Sequence, residues 1–131
     1  MEYLDFFTNP FLFVAGSEVV DNLGTCYNCS INGSDQEGNL YLRNKIKEEG
    51  IIKGCLSDLP LQTLFLVGVT GVAAGLDYFL NINQSEINLT KAWAYGVGGV
   101  KYFNGVGHLL IGSAGAARLG FEGLVKKITR N

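Results

Sequence analysis

The stretch Leu59-Pro-Leu-Gln-Thr-Leu-Phe-Leu-Val-Gly-Val-Thr-Gly-Val-Ala-Ala-Gly-Leu76 carries no formal charge, and a second one resembles it. That second stretch is Tyr102-Phe-Asn-Gly-Val-Gly-His-Leu-Leu-Ile-Gly-Ser-Ala-Gly-Ala-Ala117, in which only His108 can ionise near neutrality. The polar segment Asp77 to Lys91 joins them. Gly71 and Gly75 stand four apart, with Gly68 three residues earlier. Gly112, Ala116 and Gly120 fall at i, i+4 and i+8, which makes one narrow stripe on a helix. Each glycine costs a helix about 1 kcal/mol against alanine. Repeating that cost makes sense where two helices pack backbone to backbone, in a tight core or in lipid. The expected fold is therefore all-α: a compact bundle of about five helices with a glycine-rich apolar helical hairpin and one long polar loop.

Crossing a bilayer takes roughly 20 mostly apolar residues. Leu59–Leu76 is slightly short and opens on a proline, and Tyr102–Ala117 is shorter still. Length thus favours a hairpin buried in a helical domain over a constitutive span. A fold that exposes the hairpin to a membrane lies between these two.

Working outward, Asn9 is a natural N-cap and Pro10 suits the first helical position. Phe11, Val14 and Val19 recur at helical spacing, and Asp21-Asn-Leu-Gly24 would end that N-terminal helix, giving 9–22. The Cys-containing polar segment 23–39 reads as a loop, because Asn28, Asn32, Gly33, Ser34, Asp35 and Gly38 favour turns. A short charged helix covers 40–49 and stops at Gly50. The glycine-rich helical region 58–129 would hold a helix from about Ser57–Leu59 to Leu80. Another starts at Ser85 or Asn88 and includes Trp93 and Val97, with a break or bend at Asn104-Gly105. A last helix spans Val106 to Ile128, with Lys126 and Lys127 placed to favour its dipole. All of 1–131 reads as a single domain.

Composition narrows the function. With 47% hydrophobic and 17% charged residues, the surface has few charges to distribute. A net charge of −2 offers no field for a phosphate backbone, so nucleic acid is not an expected partner. The apolar content is too high for disorder. Met1-Glu-Tyr-Leu-Asp5 is acidic where a signal peptide needs positive charge. That implies a cytosolic protein or a segment exported by a signal lying elsewhere.

Chemistry-bearing motifs are sparse. Cys26-Tyr-Asn-Cys29 is a single C-x-x-C, and Cys55 stands apart. A zinc site with His108 as fourth ligand is poorly supported by that spacing. A thioredoxin-like role lacks its preceding strand. Either a disulfide among Cys26, Cys29 and Cys55 or three free thiols fits. A bond to Cys55 would staple the polar segment to the start of the hairpin and imply an oxidising compartment. His108 in an apolar helix reads first as a core residue. No serine or cysteine has an evident partner for a nucleophilic triad. Gly96-Val-Gly-Gly-Val-Lys101 falls short of a phosphate loop. Asp77, Glu86 and Glu122 have no fixed geometry. The glycan acceptor tripeptides at Asn28, Asn32, Asn83 and Asn88 matter only in a eukaryotic secretory pathway. No enzyme, cofactor or metal site is expected.

The run Val72-Ala-Ala-Gly-Leu-Asp-Tyr-Phe-Leu-Asn-Ile-Asn-Gln-Ser-Glu-Ile-Asn-Leu-Thr-Lys-Ala-Trp-Ala-Tyr-Gly-Val-Gly-Gly-Val100, continued from Gly105 to Gly115, resembles a region of bacterial polymorphic toxins. It is similar to the segment before the toxic C-terminal domain of CdiA-type effectors of contact-dependent growth inhibition. There a glycine/alanine-rich helix ends in an acidic residue and an aromatic. A polar link follows, here Asn81-Ile-Asn-Gln84, then a helix start, here Ile87-Asn-Leu-Thr90. The chain departs from the family in showing neither a Val-Glu-Asn-Asn boundary nor a downstream nuclease. The resemblance implies a secreted, cell-surface exoprotein segment without enzymatic activity. Such a translocation and receptor-binding domain engages an integral inner-membrane protein of the target cell and carries an attached C-terminal toxin inwards. Gly71, Gly75, Gly112, Ala116 and Gly120 would then serve helix packing and membrane or receptor contact. Two alternatives compete: a small toxin acting through His108, and a membrane-active, holin-like protein.

Overall fold

The computed structural model describes residues 8–129, and these are all-α. Helix α1 spans Pro10–Asn32, and a 3-10 turn covers Ser34–Gln36. The charged helix α2 covers Leu40–Glu49, and a short helix α3 covers Ile51–Leu56. The two long helices that follow are α4, Leu59–Phe79, and α5, Leu89–Thr129. The expected all-α bundle of about five helices is what the chain forms. The segment before Thr8 and the Lys127 side chain lie outside the described residues.

The caps explain most boundaries. The Asn9 side chain accepts hydrogen bonds from the amides of Phe11 at 3.0 Å and Leu12 at 3.2 Å, and Pro10 opens α1 as expected. Asn39 caps α2 in the same way, through the amides of Tyr41 and Leu42. Gly50, at φ 90°, ends α2 in a backbone conformation that suits glycine. At α5, Asn88 rather than Ser85 is the cap, accepting from the Lys91 amide at 2.9 Å.

Three expected boundaries need correction. Helix α1 does not stop at 22 but continues to Asn32, so most of the segment 23–39 is helical and only 33–39 is a connecting turn. Asp21 and Asn22 do not break the helix, because their side chains find partners compatible with it, and Asn22 Nδ2 also donates to the Glu18 carbonyl one turn back at 2.8 Å. Asn22 Nδ2 donates to Glu18 Oε1 at 2.7 Å, and Asp21 meets Lys101. Second, Ile51–Leu56 is helical, whereas the sequence suggested no element there. Third, Asn104-Gly105 neither breaks nor ends a helix, and α5 runs 41 residues without interruption. A Cβ at Gly105 would lie 2.6 Å from the Val20 carbonyl oxygen. The glycine is there for close approach of two backbones.

The helices assemble in two parts. In the first, Gly98 faces Phe13, Gly105 faces Val20, and Gly112 faces Tyr27 and Asn28, so α1 and α5 run side by side in the same direction. Helix α4 runs the opposite way. Its Leu66 packs with Val14 and Ala94, while Gly71, one turn later, reaches Phe11. Asp77 ties the end of α4 to the start of α5 by accepting from the amides of Leu89 and Thr90, both at 2.8 Å, and from the Thr90 hydroxyl. The second part is a lobe in which α2 and α3 fold over the end of α1 around Cys29, Ile46 and Cys55.

Candidate functional site

The three long helices bury several polar side chains beside the small apolar core of Val14, Leu66 and Ala94, and they expose many apolar ones. On α1 the buried positions include Ser17, Glu18, Asn22, Thr25 and Asn28. On α4 they are Leu66, Thr70 and Asp77. Outside stands Leu64, 69% exposed, with Val72, Phe79, Phe103 and Leu110. This overturns the expectation of a buried hairpin. The helical stretch Ile51–Phe79 is long and apolar enough to cross a membrane, yet only 17% of its apolar window is buried.

The seam between α1 and α5 follows a regular sequence pattern. Ala94, Gly98, Lys101, Gly105, His108, Gly112 and Gly115 alternate steps of four and three residues, the spacing that keeps one face of a helix against a partner. Small residues at Gly98, Gly105 and Gly112 bring the helices together. Between them, Lys101 and His108 reach polar groups on α1. Lys101 Nζ lies 2.8 Å from Glu18 Oε2 and 3.2 Å from Asp21 Oδ2. Asn104 Nδ2 donates to Asp21 Oδ1 at 2.5 Å. His108 Nδ1 lies 2.8 Å from Asn28 Nδ2, and Asn32 donates to Asn28 Oδ1 at 2.8 Å. Buried Ser17 and Thr70 satisfy themselves on the carbonyls of Val14 and Leu66 in their own helices. The formal charges of α1, and the one within residues 92–117 of α5, thus meet inside as Glu18, Asp21 and Lys101.

The residues singled out in the sequence fall at different depths. Gly112 sits in the seam, where an added Cβ would lie 2.6 Å from the Tyr27 ring. Ala116 is half-buried beside it. Gly71 makes only ordinary contact with Phe11, and Gly75 and Gly120 face open space. The helix-packing role therefore belongs to Gly98, Gly105 and Gly112, seven apart, rather than to a stripe through Gly120. The seam's Glu18, Asp21, Asn28 and Lys101 were missed. The signal for them was the polar recurrence on α1, where Ser17, Glu18, Asp21, Thr25 and Asn28 fall on one side.

Cys26 and Cys29 lie one turn apart on α1, not in a loop, and Cys55 of α3 packs beside them. All three are free thiols. Burial pushes the Cys29 thiol up to about 11 and the Cys55 thiol up to about 12. Both stay protonated at neutral pH, and a protonated thiol is neither a good nucleophile nor a metal ligand. Among the described residues, no group of three or more His, Cys, Asp or Glu side chains is placed to hold a metal ion. His108 is held in the seam and brings no cysteine with it.

The chain matches no known protein family, no characterised protein and no solved structure.

Proposed function

We propose that the chain is a non-enzymatic translocation and receptor-binding domain, of the cytoplasm-entering kind found in CdiA-type contact-dependent toxins. It would belong to a secreted exoprotein displayed at the bacterial cell surface. It would carry an attached C-terminal toxin across the inner membrane of a target bacterium, with an integral membrane protein of that cell as receptor. One observation carries this reading: apolar side chains cover much of the outside of α4 and of residues 102–117, while Glu18, Asp21 and Lys101, the charges of α1 and of the stretch of α5 facing it, meet at the seam. Water penalises that arrangement and a bilayer rewards it. Length agrees as well. At 1.5 Å per residue, the 21 residues of α4 span about 31 Å, close to the roughly 30 Å hydrocarbon layer. The resemblance over residues 72–100 supplies the direction of transport and the kind of partner.

The test is a delivery swap. The segment is fused to an unrelated nuclease on a contact-dependent inhibition system, and target cells lacking single inner-membrane proteins are challenged. Killing that one deletion abolishes supports the reading and identifies the receptor. Gly112→Leu and Ala116→Leu should stop delivery while leaving secretion intact. An exported fusion that never kills contradicts it.

A second reading, a holin-like membrane protein, draws on the Ile51–Phe79 stretch, which is long and apolar enough to cross a membrane and has 17% of its apolar window buried. It requires the purified chain to release dye from liposomes without any receptor. The carrier reading expects binding with little leakage.

A further inference from the structure

Helix α4 meets α5 mainly where Leu66 and Val67 face Trp93, Ala94 and Val97. Beyond that contact it parts from α5 and leaves a cleft of about 670 Å³ between α1, α4, α5 and the turn before α2. Its walls are apolar, from Leu42, Leu61, Phe65 and Leu66, and its floor is charged, from Glu18, Asp21, Glu37 and Lys101. The volume falls within the roughly 300–1,000 Å³ usual for small-molecule sites.

The charges do not balance. Three carboxylates line the cleft against one ammonium, and Lys101 divides itself between Glu18 and Asp21. Arg43, just outside, is held by its Nε on the Glu37 carbonyl at 2.8 Å. Lys45 is occupied by Asp58 at 2.5 Å. Glu18 is 1% exposed. Its Oε1 accepts from Asn22, and its Oε2 faces Lys101 Nζ at 2.8 Å in an ion pair that Lys101 shares with Asp21. Excess negative charge away from water is costly unless a cation joins it. A ligand that brings a cation on an apolar stem would supply the missing charge and cover Leu61 and Phe65, which are 69% and 66% exposed.

We propose that this cleft binds a small organic cation, an ammonium group on an apolar body, with Glu18 and Asp21 receiving the charge and Leu61 and Phe65 enclosing the stem. The proposal stands on the cleft alone and not on delivery across a membrane.

The experiment is a titration of the purified chain with hexylammonium, followed by NMR shift changes, with hexanol and hexanoate as controls of equal length. Hexylammonium should bind at least tenfold more tightly than hexanol, and hexanoate should not bind. Glu18→Gln and Asp21→Asn should each weaken hexylammonium at least tenfold and leave hexanol unchanged, with helicity checked by circular dichroism. Asp21 lies nearer the surface, so Asp21→Asn keeps the test open should Glu18→Gln unfold. Equal binding of hexanol, tight binding of hexanoate, indifference to Asp21→Asn, or no binding by the folded chain would each overturn the proposal.

Discussion

The α2–α3 lobe and the three-helix part are built on opposite plans. In the lobe, Ile46, Cys29 and Cys55 are buried, and Lys45, Lys47, Glu48, Glu49 and Lys53 belong to its outer helices, the ordinary arrangement for a protein in water. In α1, α4 and α5, the charged residues Glu18, Asp21 and Lys101 meet inside, while leucine, phenylalanine and valine look out. One chain thus contains a lobe closed around a small core and a three-helix part that leaves many of its apolar side chains exposed. The difference teaches that apolar content alone does not define a core. What matters is which side of the helix the apolar residues occupy.

The sharpest way to break the comparison is to place the same charge in both parts. Ile46→Asp should destabilise the chain by about 4 kcal/mol, because a carboxylate would be buried without a partner. Leu64→Asp should change stability in water by no more than about 0.5 kcal/mol while removing most binding to vesicles. Chemical denaturation and liposome flotation read the two effects separately. If Leu64→Asp destabilised as strongly as Ile46→Asp, the two plans would be one.

The next largest effect should come from the seam. Gly105→Leu places a side chain against the Val20 carbonyl, and α1 cannot yield without moving its backbone. A loss of about 3 kcal/mol or more is expected in denaturation. Gly120→Leu, which meets open space, should lie within about 0.5 kcal/mol of the parent.

Removing a buried charge tests the inward-facing polar groups. Glu18→Ala leaves Lys101 with Asp21 alone. Breaking a fully buried pair costs roughly 3–5 kcal/mol, and the remaining partner should reduce this to about 2 kcal/mol. His108→Ala should cost about 1 kcal/mol by removing a partner of Asn28, and should leave any toxicity of the intracellular chain unchanged. Loss of toxicity in a variant that is still folded would favour the His108-dependent toxin instead.

The smallest effect belongs to the lobe's surface. A hydrogen bond and the charge of Lys47 hold the Asp35 carboxyl below its ordinary range. A carboxyl lowered by folding stabilises above its unfolded pKa, and that contribution is lost as pH falls through the folded value. The melting temperature should therefore dip slightly in acid, and Asp35→Asn should remove that part of the dip.

Much of the fold was legible where the signals are local. Asn39 and Gly50 bracket α2, and Asn9-Pro10 opens α1, because caps act within three or four residues. The segment 23–32 reads as a loop in the sequence because asparagine and threonine favour turns unless they find partners elsewhere. Asn28 finds His108, eighty residues away. The seam's four-and-three alternation was present in the sequence from Ala94 to Gly115. The stripe of Gly112, Ala116 and Gly120, at strict four-residue steps, drifts around the helix and past the contact. The ion pair of Glu18 and Lys101 could not be read at all, since nothing in the sequence says which helices pair.

The most direct test of the central claim maps lipid contact on the intact chain. Vesicles containing a phospholipid with a photoactivatable group deep in its acyl chain are mixed with the protein, irradiated, and the labelled residues located by mass spectrometry. Labelling concentrated on the outer faces of residues 59–79 and 103–117, and absent from 40–56, is the predicted result. Labelling confined to the lobe, or none at all on a chain shown to be folded, would contradict the account.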